Sequence, residues 1–315
     1  MNYIVGIDIG GTKVALGIVG EDGKLYHQTK IATDLSISPK EMIDRMSDQI
    51  NQLVKNSGVS FEQVLGIGIG APGPLDSKQG VITCPPNLPN WHNVEIVRML
   101  VEIYQIPVLL ENDCNAATLA EKWIGASQNN EHFVYLTIST GIGAGIYADG
   151  RLISGKSGNA GDIGHIMMDP SYGTCTCGQD GCFEWIASGT AIARQGSEIL
   201  GRSVTAEEVF TLYRNKDPRV QDCINTIFSV IGAGCTTIVN AFDPEKVVIG
   251  GGVSKVGDPL FQAVRSYVRT HALSPSGRET EIVTSGLDQH SGTIGAAALL
   301  LQDKDALDKL SVNTI

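Results

Sequence analysis

No stretch of the chain approaches the ~20 consecutive apolar residues that a bilayer-spanning helix needs. The best run, Ala296–Leu301, is far too short for that task. Basic charge is also scarce: Lys plus Arg total 23 against 34 for Asp plus Glu, a net charge of −11. That balance argues against a polyanion-binding surface, and so against a nucleic-acid partner. The opening residues Met1-Asn2-Tyr3-Ile4-Val5-Gly6 hold no basic segment and no cleavage site. Nothing there indicates secretion, and a cytoplasmic protein without a membrane partner is expected. Low-complexity segments and an obvious linker are missing. So are the Walker lysine motif and the dinucleotide fingerprint.

What the chain has in excess is glycine, 37 of 315 residues, or about 12% against a usual ~7%. The glycines cluster in short runs, which points to backbone-lined loops. A chain of this length suggests two domains and buries roughly 75% of its unfolded surface, so it needs no disulfides. Seven cysteines are present. Cys84, Cys114, Cys223 and Cys235 lie apart and read as ordinary thiols. The other three crowd into Cys175-Thr176-Cys177-Gly178-Gln179-Asp180-Gly181-Cys182. In a reducing compartment such a cluster favours a metal over a disulfide.

The organisation is α/β. A strand at Tyr3–Ile9 runs into Asp8-Ile9-Gly10-Gly11-Thr12-Lys13, and a second apolar run, Val14–Val19, ends at Asp22-Gly23. Ser38-Pro39-Lys40-Glu41 reads as N-cap, first-turn proline and capping-box glutamate of a helix that Gly58 ends. Leu65–Gly70 and Pro107–Glu111 look like buried strands, and a helix follows the second. At Phe133–Ser139 the opening pattern restarts: strand, Thr140-Gly141-Ile142-Gly143-Ala144-Gly145, strand, Asp149-Gly150. A long helix with Ile224, Ile227, Phe228, Ile231, Cys235, Ile238 and Val239 on one face comes later. Strand Lys246–Ile249 runs into Gly250-Gly251-Gly252. Two copies of strand, glycine turn and strand predict a duplicated architecture with largely parallel sheets.

Three places can do chemistry. Glycine turns let backbone N–H groups cradle phosphate oxygens, and Asp8, at the end of the first strand, can hold magnesium through water. A bland tight turn explains any one of these runs as well; three of them after apolar strands favour a nucleotide site. Second, Glu111-Asn112-Asp113-Cys114-Asn115 lies where a buried strand gives way to a helix, the usual ligand edge of such a sheet. Asp113 is a candidate general base and Asn112 its hydrogen-bonding neighbour; the alternative is that Asp113 only caps the helix. Third, His165 with Cys175, Cys177 and Cys182 supplies four ligands for a closed tetrahedral zinc site. Redox chemistry of Cys175 and Cys177 is the alternative.

Together these residues resemble the ROK family of sugar kinases and repressors, in its bacterial glucokinase branch. The match runs over essentially the whole chain. It includes Asp8 to Lys13, Gly70-Ala71-Pro72-Gly73, Asn87-Leu88-Pro89-Asn90-Trp91 and Glu111-Asn112-Asp113. It continues through Ser139 to Gly145, Ala160-Gly161-Asp162-Ile163-Gly164-His165, the cysteine cluster ending in Phe183-Glu184, and Gly250-Gly251-Gly252-Val253.

The resemblance implies an actin-like ATPase (ribonuclease H-like) fold with two α/β domains and an active-site cleft between them. Residues 1–117 with a returning C-terminal helix (293–315) would form one domain, and 118–292, with the zinc-binding loop, the other. Gly10, Gly11, Thr12 and Lys13 would meet the ATP phosphates together with Thr140 and Gly141, and Gly250, Gly251 and Gly252 would lie near the nucleoside. Asp113 falls on the catalytic base. Gly73, Asn112, Asp113, Asp162, His165 and Glu184 fall on sugar-binding positions. Cofactors would be ATP, Mg2+ and Zn2+, and the assembly a homo-oligomer.

The family usually has glutamate where this chain has Asp162, and Ser139 and Cys114 replace residues more often glycine and alanine. The expected reaction is phosphoryl transfer from ATP to the 6-hydroxyl of an aldohexose, glucose first. Mannose, N-acetylmannosamine, N-acetylglucosamine, fructose and allose are alternatives. A sugar-sensing repressor is disfavoured because only seven residues precede Asp8.

Overall fold

The computed structural model describes residues 1–287 and 290–302. The chain divides into two compact units. Unit 1 holds Met1–Gln128, Leu152–Ala160 and the described residues from 290 onward, and unit 2 holds Asn129–Arg151 and the described residues from 161 to 287. The first break therefore falls after Gln128, beyond the expected 117, and a short second segment joins unit 1. Of the expected returning segment 293–315, residues 303–315 lie outside the described residues.

Unit 1 is built on a five-stranded sheet. Its strands are β1 (Tyr3–Ile9), β2 (Lys13–Gly20), β3 (Leu25–Ala32), β4 (Val64–Ala71) and, after the short strands β5 (Leu75–Asp76) and β6 (Val81–Ile82), β7 (Val108–Asn112). The sheet order is β3-β2-β1-β4-β7. The glycine turn makes β1–β2 a hairpin, so that half is antiparallel, whereas β1–β4 and β4–β7 are parallel. Helix α1 (Pro39–Ser57) has the capping box that its sequence predicts: the Ser38 side chain accepts from Glu41 N, and Glu41 returns to the Ser38 backbone. Gly58 closes it in the left-handed conformation at φ 73°. Its face of Ile43, Met46, Ile50, Leu53 and Val54 is buried in the core of this unit.

Helices α2 (Ile96–Tyr104) and α3 (Asp113–Trp123) flank β7 in sequence. In unit 2 the first strands are β8 (Phe133–Ile138), β9 (Ile142–Ala148) and the short β10 (Arg151–Leu152). Helices α4 (Phe183–Ala187), α5 (Gly189–Leu200), α6 (Ala206–Arg214) and α7 (Pro218–Phe242) follow. They are succeeded by β11 (Lys246–Gly250), α8 (Asp258–His271) and β12 (Glu281–Thr284). The sheet order β10-β9-β8-β11-β12 repeats the plan of unit 1: an antiparallel hairpin joined to parallel strands. Both sheets are thus mixed, not largely parallel, because each glycine turn reverses the chain at once. Helix α7 is the one described helix long and apolar enough to cross a membrane, and it packs in unit 2 against α4, α5, α6 and α8.

Helix α9 (Ser291–Gln302) belongs to unit 1, where it packs on α3, β1 and β4. It is almost wholly buried from Thr293 to Leu300. Glycine makes the approach possible: a Cβ on Gly68 would collide with the Ala296 carbonyl, and one on Gly6 with the Thr293 carbonyl. The small side chains on that helix and the bare glycines on those strands are one packing solution.

Candidate active site

In unit 1 the candidate residues gather at the ends of β1, β4 and β7. Asp8 sits one residue before the end of β1, opposite Gly70 of β4. Burial, and then the negative charge of Asp113, push its carboxyl from an ordinary 3.8 up to about 6, against the opposing pull of Lys13 and Lys30. Two carboxylates with only partial compensation make a place that a divalent cation would neutralise. The turn Gly10–Thr12 closes by Gly10 N to Lys13 O at 2.9 Å, and Thr33 steadies it from β3's end, with its Oγ1 donating to Gly10 O at 2.7 Å. Thr12 and Lys13 are exposed at its tip.

At the end of β7 the chain turns directly into α3. Asn112, not Asp113, is the N-cap: its Oδ1 accepts from Cys114 N at 2.9 Å and Asn115 N at 3.3 Å. Asp113 takes the first helical position, where Oδ1 accepts from Cys114 N at 2.8 Å. With Oδ1 of Asn112 turned into the helix, its Nδ2 faces Gly73: a Cβ built there would lie 3.6 Å from Asn112 Nδ2 and 3.6 Å from Asn159 Oδ1. Gly73, Asn112 and Asn159 therefore surround one small space.

Sequence reasoning missed Asn159, which the glycine- and serine-rich run Ser154–Gly158 does not announce. It also assigned no role to Glu111, although that residue stands beside Asn112. Glu111 is 7% exposed. Its Oε1 accepts from Asn112 N at 2.8 Å and Asn115 Nδ2 at 3.0 Å, and Ser154 Oγ lies 3.4 Å from Oε2. Burial holds its carboxyl above the usual range despite these donors.

In unit 2 the turn between β8 and β9, Ser139 to Gly141, leaves Ser139 and Thr140 exposed. Glu184 accepts from Ile142 N at 2.8 Å through Oε2, so close that a Cβ on Gly141 would collide with the same oxygen. The turn after β11 lies beside the end of β8: Gly251 has φ 85°, and a Cβ there would collide with Ile138 O. Gly250 is buried and Gly252 exposed.

Asp162 precedes the single turn Ile163–His165 without capping it, and its side chain is exposed. His165 Nδ1 lies 3.8 Å from Cys175 Sγ, and Cys177 Sγ lies 3.5 Å from Cys182 Sγ. The four ligand atoms are all within 4.8 Å of one another, and the thiols are free. A tetrahedral ion with Zn–S near 2.3 Å needs sulfurs about 3.8 Å apart, so the set fits zinc with small adjustments. Burial pushes the Cys182 thiol up to about 12, a resistance to ionisation that a bound dication reverses. With Nδ1 turned to the sulfurs, Nε2 is on the far side of the ring.

Residues 4–303 match the ROK family. A glucokinase from Thermotoga maritima is 32% identical over 311 residues, covering 94% of this chain and 96% of that one. The crystal structure of a ROK family glucokinase from Streptomyces griseus, in complex with glucose and AMPPNP, superposes with a TM-score of 0.81. It is 29% identical and covers 96% of this chain and 100% of its own. A xylose repressor from Bacillus subtilis is 28% identical, covering 95% of this chain and 77% of the repressor.

Proposed function

Because the chain belongs to the ROK family, we propose that it is an ATP-dependent hexokinase that phosphorylates the 6-hydroxyl of glucose. The observation that carries this reading is the junction of β7 and α3. There Asn112 caps α3, Asp113 is the first residue of the helix, and Gly73 lies beside Asn112 Nδ2 and Asn159 Oδ1.

Asp113 accepts the proton of the sugar 6-hydroxyl as O6 attacks the γ-phosphorus. The O6–P bond forms, the bond from phosphorus to the β,γ-bridging oxygen breaks, and ADP leaves with that electron pair. Asn112 Nδ2 donates to a sugar hydroxyl. Backbone N–H groups of the turns around Gly11 and Thr140–Gly141 hold the phosphates, and Lys13 adds positive charge at its turn. Gly250, Gly251 and Gly252 lie near the nucleoside. Asp8 would hold a magnesium ion, which would neutralise phosphate charge. His165, Cys175, Cys177 and Cys182 would hold zinc, which would fix the loop that carries His165 and leads into Glu184. The imidazole then offers Nε2 to the sugar while Nδ1 meets the ion. Asp162 and Glu184 offer further carboxylate oxygens to hydroxyls. A reducing, ATP-containing cytoplasm suits the free thiols and the reaction.

A second reading within the same chemistry is another hexose or amino sugar. It draws support from Asp162, one methylene shorter than the usual glutamate. A sugar-sensing regulator, as the xylose repressor is named, has no need of a general base. An ATP-coupled assay of the purified protein across glucose, mannose, N-acetylmannosamine, N-acetylglucosamine, fructose and allose tests the proposal. ATP-dependent turnover greatest on glucose supports it, turnover greatest on another sugar moves the substrate, and none on any sugar refutes the kinase reading.

A further inference from the structure

The turn Ser139–Gly141 is grasped from outside by the segment that follows the cysteine cluster. Gly189 N donates to Ser139 O at 2.7 Å, Thr190 Oγ1 donates to Thr140 O at 2.8 Å, and Glu184 Oε2 accepts from Ile142 N at 2.8 Å. Two residues of the turn and the first residue of β9 are thus held by groups within seven positions of α4 and the start of α5. The turn itself has only one short internal bond, Ser139 N to Gly141 O at 2.8 Å.

The holding segment is itself rigid. Cys182 is the N-cap residue of α4, and Ser188 caps α5 by accepting from Ala191 N at 3.1 Å. Trp185 Nε1 donates to Tyr172 O at 2.9 Å, while Arg194 donates to Trp185 O and lies 4.3 Å over its ring. An exposed turn between two strands is a soft element, and three hydrogen bonds to α4 and the capped start of α5 restrain it.

We infer that Thr190 is a positioning residue for nucleotide: its hydroxyl, with the Gly189 amide and the Glu184 carboxylate, holds the Ser139–Gly141 turn in the form that receives the phosphates. The inference rests on the proposed phosphate role of that turn. Thr190 does not reach the phosphates in this account; it holds the Thr140 carbonyl and so fixes the direction of the peptide N–H groups that do. A hydroxyl bonded to a carbonyl typically contributes a factor of roughly 3 to 10 in an equilibrium. A positioning residue spends that factor on nucleotide and not on sugar.

Thr190→Val removes the hydroxyl and keeps the branched shape, and Thr190→Ser keeps the hydroxyl. Calorimetric affinity for AMPPNP and for glucose is measured on the wild type and both variants, with KM for ATP and for sugar alongside. The expected result is AMPPNP affinity about 3- to 10-fold weaker in Thr190→Val, restored in Thr190→Ser, with sugar affinity and melting temperature unchanged. Wild-type nucleotide affinity in Thr190→Val overturns the inference, as does an equal loss for sugar and nucleotide. A wild-type protein that binds no AMPPNP fails on the proposed function itself, a separate outcome.

Discussion

Replacing Glu111 with alanine perturbs the start of α3 from behind the residues proposed to meet substrate. The carboxylate Oε1 serves two buried donors, Asn112 N at 2.8 Å and Asn115 Nδ2 at 3.0 Å. Asn115 is fully buried, and its Oδ1 already has no partner among the described residues, so its amide depends on Glu111. Each buried donor left unpaired costs about 1–3 kcal/mol, which puts the pair at roughly 2–6 kcal/mol with a central value near 4. For a unit of this size the central value is a drop in melting temperature of about 8–16 °C. Because Asn112 N is one of the two donors, the cap shifts with it, and Asp113 moves too. A displacement approaching 1 Å costs on the order of 100-fold in turnover.

Glu111→Gln separates the acceptor from the charge. The amide oxygen still serves Asn112 N, so most of the stability returns. Burial raises the Glu111 carboxyl in the fold. The native state therefore holds that proton more tightly than the unfolded chain, and the stability it adds is full below the ordinary carboxylate range and lost as pH rises through the raised value. Glu111→Gln gains on the wild type as pH rises from 4 to 8. Scanning calorimetry at both pH values, with glucose turnover on the same samples, decides the matter. Melting of Glu111→Ala within 1 °C of wild type, with full turnover, would mean that Glu111 does not anchor the start of α3.

Elemental analysis should find one zinc per wild-type chain, and Cys177→Ser should lose most of it along with sugar affinity; a fully active zinc-free wild type, or a Cys175–Cys177 disulfide, contradicts this. In magnesium-free buffer, Asp8→Asn is more stable relative to wild type at pH 7.5 than at pH 3.5. The Asp8 proton, held up to about pH 6 in the fold against 3.8 unfolded, gives stability that is complete below pH 3.8 and gone above pH 6. The difference is up to about 3 kcal/mol, and equal effects at both pH values would argue that Asp8 titrates normally. Asp162→Glu changes kcat/KM unequally among glucose, mannose and N-acetylmannosamine. A uniform change across the three means that Asp162 does not read the sugar.

Much of this was legible in the sequence for physical reasons. Ser38, Pro39, Glu41 and Gly58 mark both ends of α1 because capping is local chemistry. Strands β1, β4, β7, β8 and β11 are short apolar runs, and the strand–turn–strand repeat announced the duplicated sheets. The spacing of His165, Cys175, Cys177 and Cys182 was enough to gather them, and the structure places their ligand atoms together. Strand β3, Leu-Tyr-His-Gln-Thr-Lys-Ile-Ala, was invisible because an edge strand with exposed side chains needs no apolar alternation. The division after Gln128 and the membership of Leu152–Ala160 in unit 1 depend on tertiary packing that no local pattern encodes. Asn112 and Asp113 are both good capping residues, and only the backbone decides that Asn112 caps. Glu111 was in view as a motif residue, but its hold on Asn115 joins successive faces of a helix with a strand end.

Asp113, as general base, takes the proton in the proposed phosphoryl transfer to a sugar. Asp113→Asn keeps size and hydrogen bonding but cannot take the proton, so turnover should fall by about 10²–10⁴-fold. Sugar affinity, measured calorimetrically on the same preparation, should change by much less. Near-normal turnover in Asp113→Asn contradicts the claim, and so does a loss of sugar binding large enough to account for all the lost activity.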